Sequence, residues 1–559
     1  MVRYARRKWL ATIGLVALVA GAGACGDDVE STLSVTLYGW HGEGGGQFIE
    51  ELQQFPGAEE VRVALTRPGD RRIVDEVTVP IGNRSAQLPE LDGGEGLRMD
   101  FELRGGTGVI AVGATPVFDA EEGGAHRGFR AMVSPSNGFA PVGALFYDAA
   151  GTVYEQTAFH DQHLEVRPTG RVGHAAHPTE TGGVLVVGGA QVAGDLAMAY
   201  LPTLDEVFGD IQIFDPGTGH FDELGADQLA EDAGVVGVDR LATPRAFHTV
   251  TPVGNDRFLV AGGFTVVSGA TRPTSSIELI DLNAPAGSRV QALDGLQLEQ
   301  RRGMHTATLR TSDGAVVIAG GLDDDDENVV GTVEVIDLNQ SPATVTSFAM
   351  ETERVGHSAV LLEDGQTIWV MGGRNSGGVL DSSEVVAAAG SSPGPVMQQP
   401  RYGAAAINLG SDHADRILVV GGFTSGGATA RYEVGHPLRG QQRFISASNY
   451  TIDAARGMPQ LFILPQSREL VILGGYDPDG NIVSQAERVT VDLNRTGPLL
   501  EHVDATIGAM YQPRGGFAAA LLDNGRILLA GGQGEGGQFL GSAEYFAPHD
   551  PVRLRAAHE

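Results

Sequence analysis

Seven arginines recur in this sequence at a similar distance ahead of a glycine pair, and their surroundings decide what chemistry they could do. Arg171, Arg245, Arg302, Arg354, Arg401, Arg456 and Arg514 each stand eighteen to twenty-one residues before the second glycine. Three residues after the first four of them comes a histidine: His174, His248, His305 and His357. Beyond the glycine pair, six copies carry a glutamate, namely Glu278, Glu334, Glu384, Glu433, Glu487 and Glu544, while the first copy has Gln212. A guanidinium offers a planar fork of donors that binds carboxylate or phosphate bidentately. The same fork can be neutralised by a glutamate of its own or a neighbouring copy, and the near match of seven arginines to six glutamates allows a repeated internal ion pair. Arg171, facing Gln212, is then the arginine left over for a ligand.

Two acidic loops carry oxygen-rich chemistry. Asp323, Asp325 and their neighbours follow the third glycine pair, and Asp477-Pro-Asp479-Gly-Asn follows the sixth. Such loops could offer carboxylate and carbonyl oxygens to calcium, although neither has the full ligand spacing with a distal glutamate; solvated turns are the competing reading. No nucleophile, base and acid set recurs along the chain, so no catalytic residue is assigned and no cofactor beyond that calcium is expected.

The elements that position these residues are short apolar strands closed by the glycine pairs. Val184 to Gly189 is the first, followed by Phe258–Gly263, Val316–Gly321, Ile368–Gly373, Ile417–Gly422, Leu470–Gly475 and Ile527–Gly532. Asp313-Gly314, Asp364-Gly365 and Asn524-Gly525 precede their strands as hairpin turns. Seven copies at roughly fifty-residue spacing define a repeat protein.

Arginine, histidine, strand, double glycine and then glutamate resembles the kelch repeat, over about 390 of the 559 residues. The outer-strand tryptophan usual in that family is missing: beyond the leader only Trp40 and Trp369 occur, and Trp369 lies in an inner strand. The resemblance implies a seven-bladed β-propeller of four-stranded blades, with the arginines and the loops after each glycine pair around one mouth. In that arrangement the histidines lie one per blade along an arc, which suits backbone-bonded core residues better than a metal centre. One outer strand must come from a chain end; Phe159 to Val166 is preferred over the tail from Pro551 to Ala556.

The whole sequence is all-β in character, with 80 glycines and ordinary apolar content. Its formal net charge of −32 argues against nucleic acid, which needs a basic face. Residues 1–24 read as a signal peptide, with a basic start, an apolar run from Leu10 to Ala20, and Ala22-Gly-Ala-Cys25 after it. This resembles a bacterial lipoprotein signal, with Ala22 where that family usually has leucine; an ordinary cleavable signal ending at the same bond is the alternative. Removing it discards Lys8, the only lysine, and takes the net charge to −36, which excludes Schiff-base and phosphate-loop lysine chemistry. Residues 25–32 form the lipidated cysteine and its tether, 33–155 an alternating, turn-rich stretch expected to be a small antiparallel β-sandwich, and 156–559 the propeller.

The expectation is an exported protein of the bacterial cell envelope, membrane-anchored at Cys25, that binds a protein or glycan on its loop face and is not an enzyme. A carbohydrate-active alternative survives as a sugar mutarotase using mouth arginines and a carboxylate. A galactose-oxidase-like copper enzyme does not, because that chemistry needs a cysteine joined to a tyrosine and Cys25 is the only cysteine. A passive spacer is the third reading.

Overall fold

The computed structural model describes residues 15–19, 32–41, 47–49, 57–67, 72–81, 94–106, 108–114, 118–120, 127–136 and 138–144, and then 169–548 apart from 194–202, 217–218, 225–238, 324–327, 389, 411–414, 438–442, 466, 493–498, 504–506 and 523–524. Cys25, Asp325 and the segment 159–166 lie outside these residues. The described chain is all-β, its one helical element being the 3-10 turn Glu535–Gly537.

The glycine-pair strands form the second strands of seven small antiparallel sheets among the described residues. In the third repeat the order is Thr306–Leu309, Val316–Ala319, Thr332–Asp337 and Thr344–Ala349, each strand pairing with the next. Every second strand is buried along its whole length, apart from Arg257 at the start of the second repeat's strand. That explains why its apolar run is continuous instead of alternating: both faces are covered by neighbouring sheets. Leu259 and Ala261 of the second repeat pack with Val316 and Ile318 of the third, and Val317 and Ala319 pack with Ile368 and Val370 of the fourth. The same stacking joins the fourth to the fifth, the fifth to the sixth and the sixth to the seventh. The seventh packs on the first, through Leu528, Ala530 and Tyr545 against Val184, Val186 and Phe214.

The outer strand of the seventh sheet is Gly138–Ala144, which pairs antiparallel with Ser542–Ala547 and sets Phe139 opposite Phe546 and Ala140 opposite Tyr545. The strand therefore comes from the N-terminal side of the repeats, but from within the stretch 33–155 and not from 159–166. A segment with the alternating pattern of a half-buried strand fits either sheet, and its sequence does not say which edge it joins.

Ahead of it lies a nine-stranded sheet. Its strands Glu60–Arg67, Gly94–Gly105 and Gly108–Ala114 pair antiparallel in that order, and Leu97, Met99, Phe101 and Leu103 are buried, as are Arg98 and Glu102 between them. Thr32–His41, however, runs parallel to Arg127–Pro135. The expected small antiparallel sandwich is thus one continuous mixed sheet. Alternation fixes which side chains share a face; it leaves open which strands become neighbours and in which direction. Leu15–Val19, from the apolar run of the leader, pairs with Thr32–Thr36 at its edge.

Candidate functional site

The seven arginines are buried, each between none and 1% exposed, and each is tied to a carboxylate. In the second repeat Arg245 Nη2 donates to Glu278, while Nη1 donates to the carbonyls of Gly262 at 2.9 Å and Ser276 at 3.0 Å. Glu278 also accepts the amides of Ala242 and Thr243 at 2.7 and 3.1 Å. Burial pulls the Arg245 pKa below its ordinary value, and the adjacent Glu278 charge offsets only part of that. The first glycine of the pair contributes a carbonyl to its arginine in all seven repeats. The arginines are therefore an internal bracing and not a ligand-binding crown.

Arg171 is no exception, contrary to the expectation that Gln212 leaves it spare. Asp210, two residues earlier, replaces the missing glutamate and accepts Arg171 Nη1 at 2.8 and 2.9 Å, while Gln212 donates to the same carboxylate at 2.6 Å. The ring of Phe208 lies 4.5 Å from the guanidinium carbon. A strand position that loses its carboxylate can regain one from the residue two before it, because both point to the same face of an extended chain.

The histidines are core residues that fasten one repeat to the previous one. His305 Nε2 lies 2.9 Å from Thr249 Oγ1, His357 Nε2 lies 2.9 Å from Thr306 Oγ1, and His174 Nε2 donates to the Ala530 carbonyl at 2.9 Å. Burial, and then the nearby arginine charge, lower the pKa of each of these three to about 3. His248 has neither ring nitrogen bonded. The reason is legible in the repeat: the residue that would meet it, equivalent to Thr249 and Thr306, is Ala175.

The acidic loops belong to different repeats, the third and the sixth. Asp323 lies 4.0 Å from Arg301. Asp477 Oδ1 accepts the amides of Asp479 and Asn481 at 2.9 and 2.8 Å, and Oδ2 accepts Asn481 Nδ2 at 3.1 Å, so this carboxylate organises a turn. Burial pushes its pKa up, but the hydrogen bonds from Asn481 and the loop amides outweigh it and hold it low. Among the described residues, the groups that bring three metal-ligating side chains together are not in these loops but at Asp453, Glu487 and His502.

What the loops do build is an open cavity of about 860 Å³. Tyr476 and Gln533, the residues directly after the sixth and seventh glycine pairs, line it together with Val192 after the first pair, and Asp479, Asn481 and Glu535 complete its polar wall. Residues in the position after the pair bridge back to the residue after the arginine: Val172 to Ala190, Gly457 to Tyr476 and Gly515 to Gln533. This position reads Ala190, Phe264, Leu322, Arg374, Phe423, Tyr476 and Gln533 around the seven repeats. Sequence reasoning pointed to the loops beyond the pairs but missed Tyr476 and Gln533. The signal available was this single unlike column beside an invariant one.

No protein-family model matches the chain, and neither does any curated protein. Solved structures similar to it include that of YjhT, at 12% identity over 60% of this chain and 98% of that one, with a TM-score of 0.40. Another is a fungal alcohol oxidase of the AA5 family in complex with copper, at 14% identity over 71% of this chain and 76% of that one, with a TM-score of 0.48.

Proposed function

We propose that this chain is an exported, lipid-anchored kelch-type propeller of seven blades that binds a protein or glycan at the bacterial cell envelope through the cavity on its loop face. The observation that carries the reading is the cavity itself, formed where the loops of the sixth, seventh and first repeats meet. Ligand pockets of this size are built by loops set on a rigid scaffold, with few polar groups fixing orientation. Support for the propeller comes from the seven sheets stacked in order, with the seventh on the first, and from the Gly532 amide donating to the Arg171 carbonyl at 2.8 Å. The mutarotase alternative loses support, since the arginines it relied on are each engaged by a carboxylate.

A glycan array and envelope-protein capture, run with the wild type and with Asn481→Ala/Gln533→Ala, test the binding reading. Binding should fall at least tenfold in the double variant. Undiminished binding in the variant would remove the cavity as the site, and no binding in the wild type leaves the passive spacer. Cys25→Ser should release the protein from membranes; continued membrane pelleting would remove the anchor.

A further inference from the structure

We propose that Asp453, Glu487 and His502 form a binding site for one divalent transition cation of zinc's type on the flank of the sixth repeat. One ligating atom from each of the three lies within 4.8 Å of the others. His502 Nε2 and Asp453 Oδ1 are already 3.2 Å apart, close to the edge of about 3.4 Å that a tetrahedron with ~2.1 Å metal–ligand bonds has.

Lone-pair counting leaves room for the third ligand. Glu487 Oε1 accepts Arg456 and the amide of Ala454, which fills it. Oε2 accepts the amide of Asp453 at 2.8 Å and keeps one lone pair, on the carboxylate oxygen bonded to the Asp453 residue itself. The Arg456 pair is therefore kept when Oε2 ligates. Glu487 is buried and fixed, whereas the side chains of Asp453 and His502 are 72% and 39% exposed, so the cation has an approach and water can complete its shell.

The constellation is particular to this repeat. The residue whose amide caps the glutamate is Ala242, Glu299, Glu351, Gln398 or Tyr511 in the other glutamate-bearing repeats. In the third, Glu299 meets the hydroxyl of Ser347 on the outer strand. Only in the sixth, among the described residues, does a carboxylate there meet an imidazole. One nitrogen and two oxygens suit a borderline cation and fall short of the six to eight oxygens calcium takes. Such an ion ties the short outer strand Leu500–His502 to the turn that leads into Arg456.

The test is a calorimetric titration of the full chain with Zn²⁺, in excess Ca²⁺ to occupy the acidic surface. The wild type should take up one equivalent, and both His502→Ala and Asp453→Asn should weaken it at least tenfold with an unchanged circular dichroism spectrum. The thermal midpoint should rise with Zn²⁺ in the wild type and not in His502→Ala. Absence of a saturable equivalent in the wild type overturns the site, and so does a loss of less than tenfold in His502→Ala.

Discussion

At the scale of single residues, the recurring charged groups hold the repeats in shape. A buried guanidinium with its carboxylate removed is an uncompensated charge, which is why the first repeat keeps Asp210 where the glutamate is lost. The histidines make a pH prediction. His174, His305 and His357 are held near 3 in the folded protein, against about 6.5 in the unfolded chain. Above the unfolded value both states are neutral and stability is full. As pH falls below it, the unfolded chain takes up protons the folded one refuses, and stability drops by about 1.4 kcal/mol per unit for each histidine, until the slope ends near 3. Urea midpoints should therefore decline already above the carboxylate range; a flat midpoint there refutes the burial of neutral imidazoles. His248 makes a second prediction. Ala175→Thr places a hydroxyl where Thr249 and Thr306 serve the next two histidines, and should add about 0.5–1.5 kcal/mol of stability. An unchanged or lowered urea midpoint in Ala175→Thr would show that the hydroxyl does not reach the ring.

At the scale of the element, the glycine pair is a junction between sheets. The amide of the second glycine donates to the carbonyl of the next repeat's arginine, as Gly321 does to Arg354 at 3.0 Å. The first glycine has a left-handed backbone, and a Cβ on Gly320 would stand 2.3 Å from that same carbonyl oxygen. Gly320→Ala should cost roughly 2–4 kcal/mol through strain and overlap combined, well beyond the ordinary helix or strand preference of alanine. A loss under about 1 kcal/mol by denaturant unfolding would mean that the neighbouring repeat can move aside.

At the scale of the molecule, the seventh sheet is completed by a strand that precedes all the repeats. Phe139 and Phe546 lie 4.9 Å apart between ring centres, and Phe139 shares a core with Leu473 and Phe517. Arg526 further reaches the carbonyl of Val112 in the N-terminal sheet at 2.9 Å. A chain begun at residue 145 should therefore expose the edge of Ser542–Ala547, unfold at lower denaturant than one begun at 137, and associate through that edge. Equal midpoints for the two chains would show that Gly138–Ala144 is not part of the cooperative unit.

Local pattern determined the repeat, its strands and its turns at Asp313-Gly314 and Asp364-Gly365, and it allowed an ion pair for six of the arginines without fixing the partner, because the apolar run, the left-handed glycines and the charge stoichiometry are each properties of a few neighbouring residues. The tertiary structure decided the rest. Asp210 as the seventh counter-ion, Gly138–Ala144 as the outer strand of the last sheet, the parallel pair in the N-terminal sheet, and the meeting of Tyr476, Gln533 and Val192 around one cavity all join segments far apart in the chain or swap one carboxylate for another. Strand periodicity records which face a side chain takes; it holds no record of which edge a strand joins, and a site assembled from three loops of three repeats exists only once the sheets have stacked.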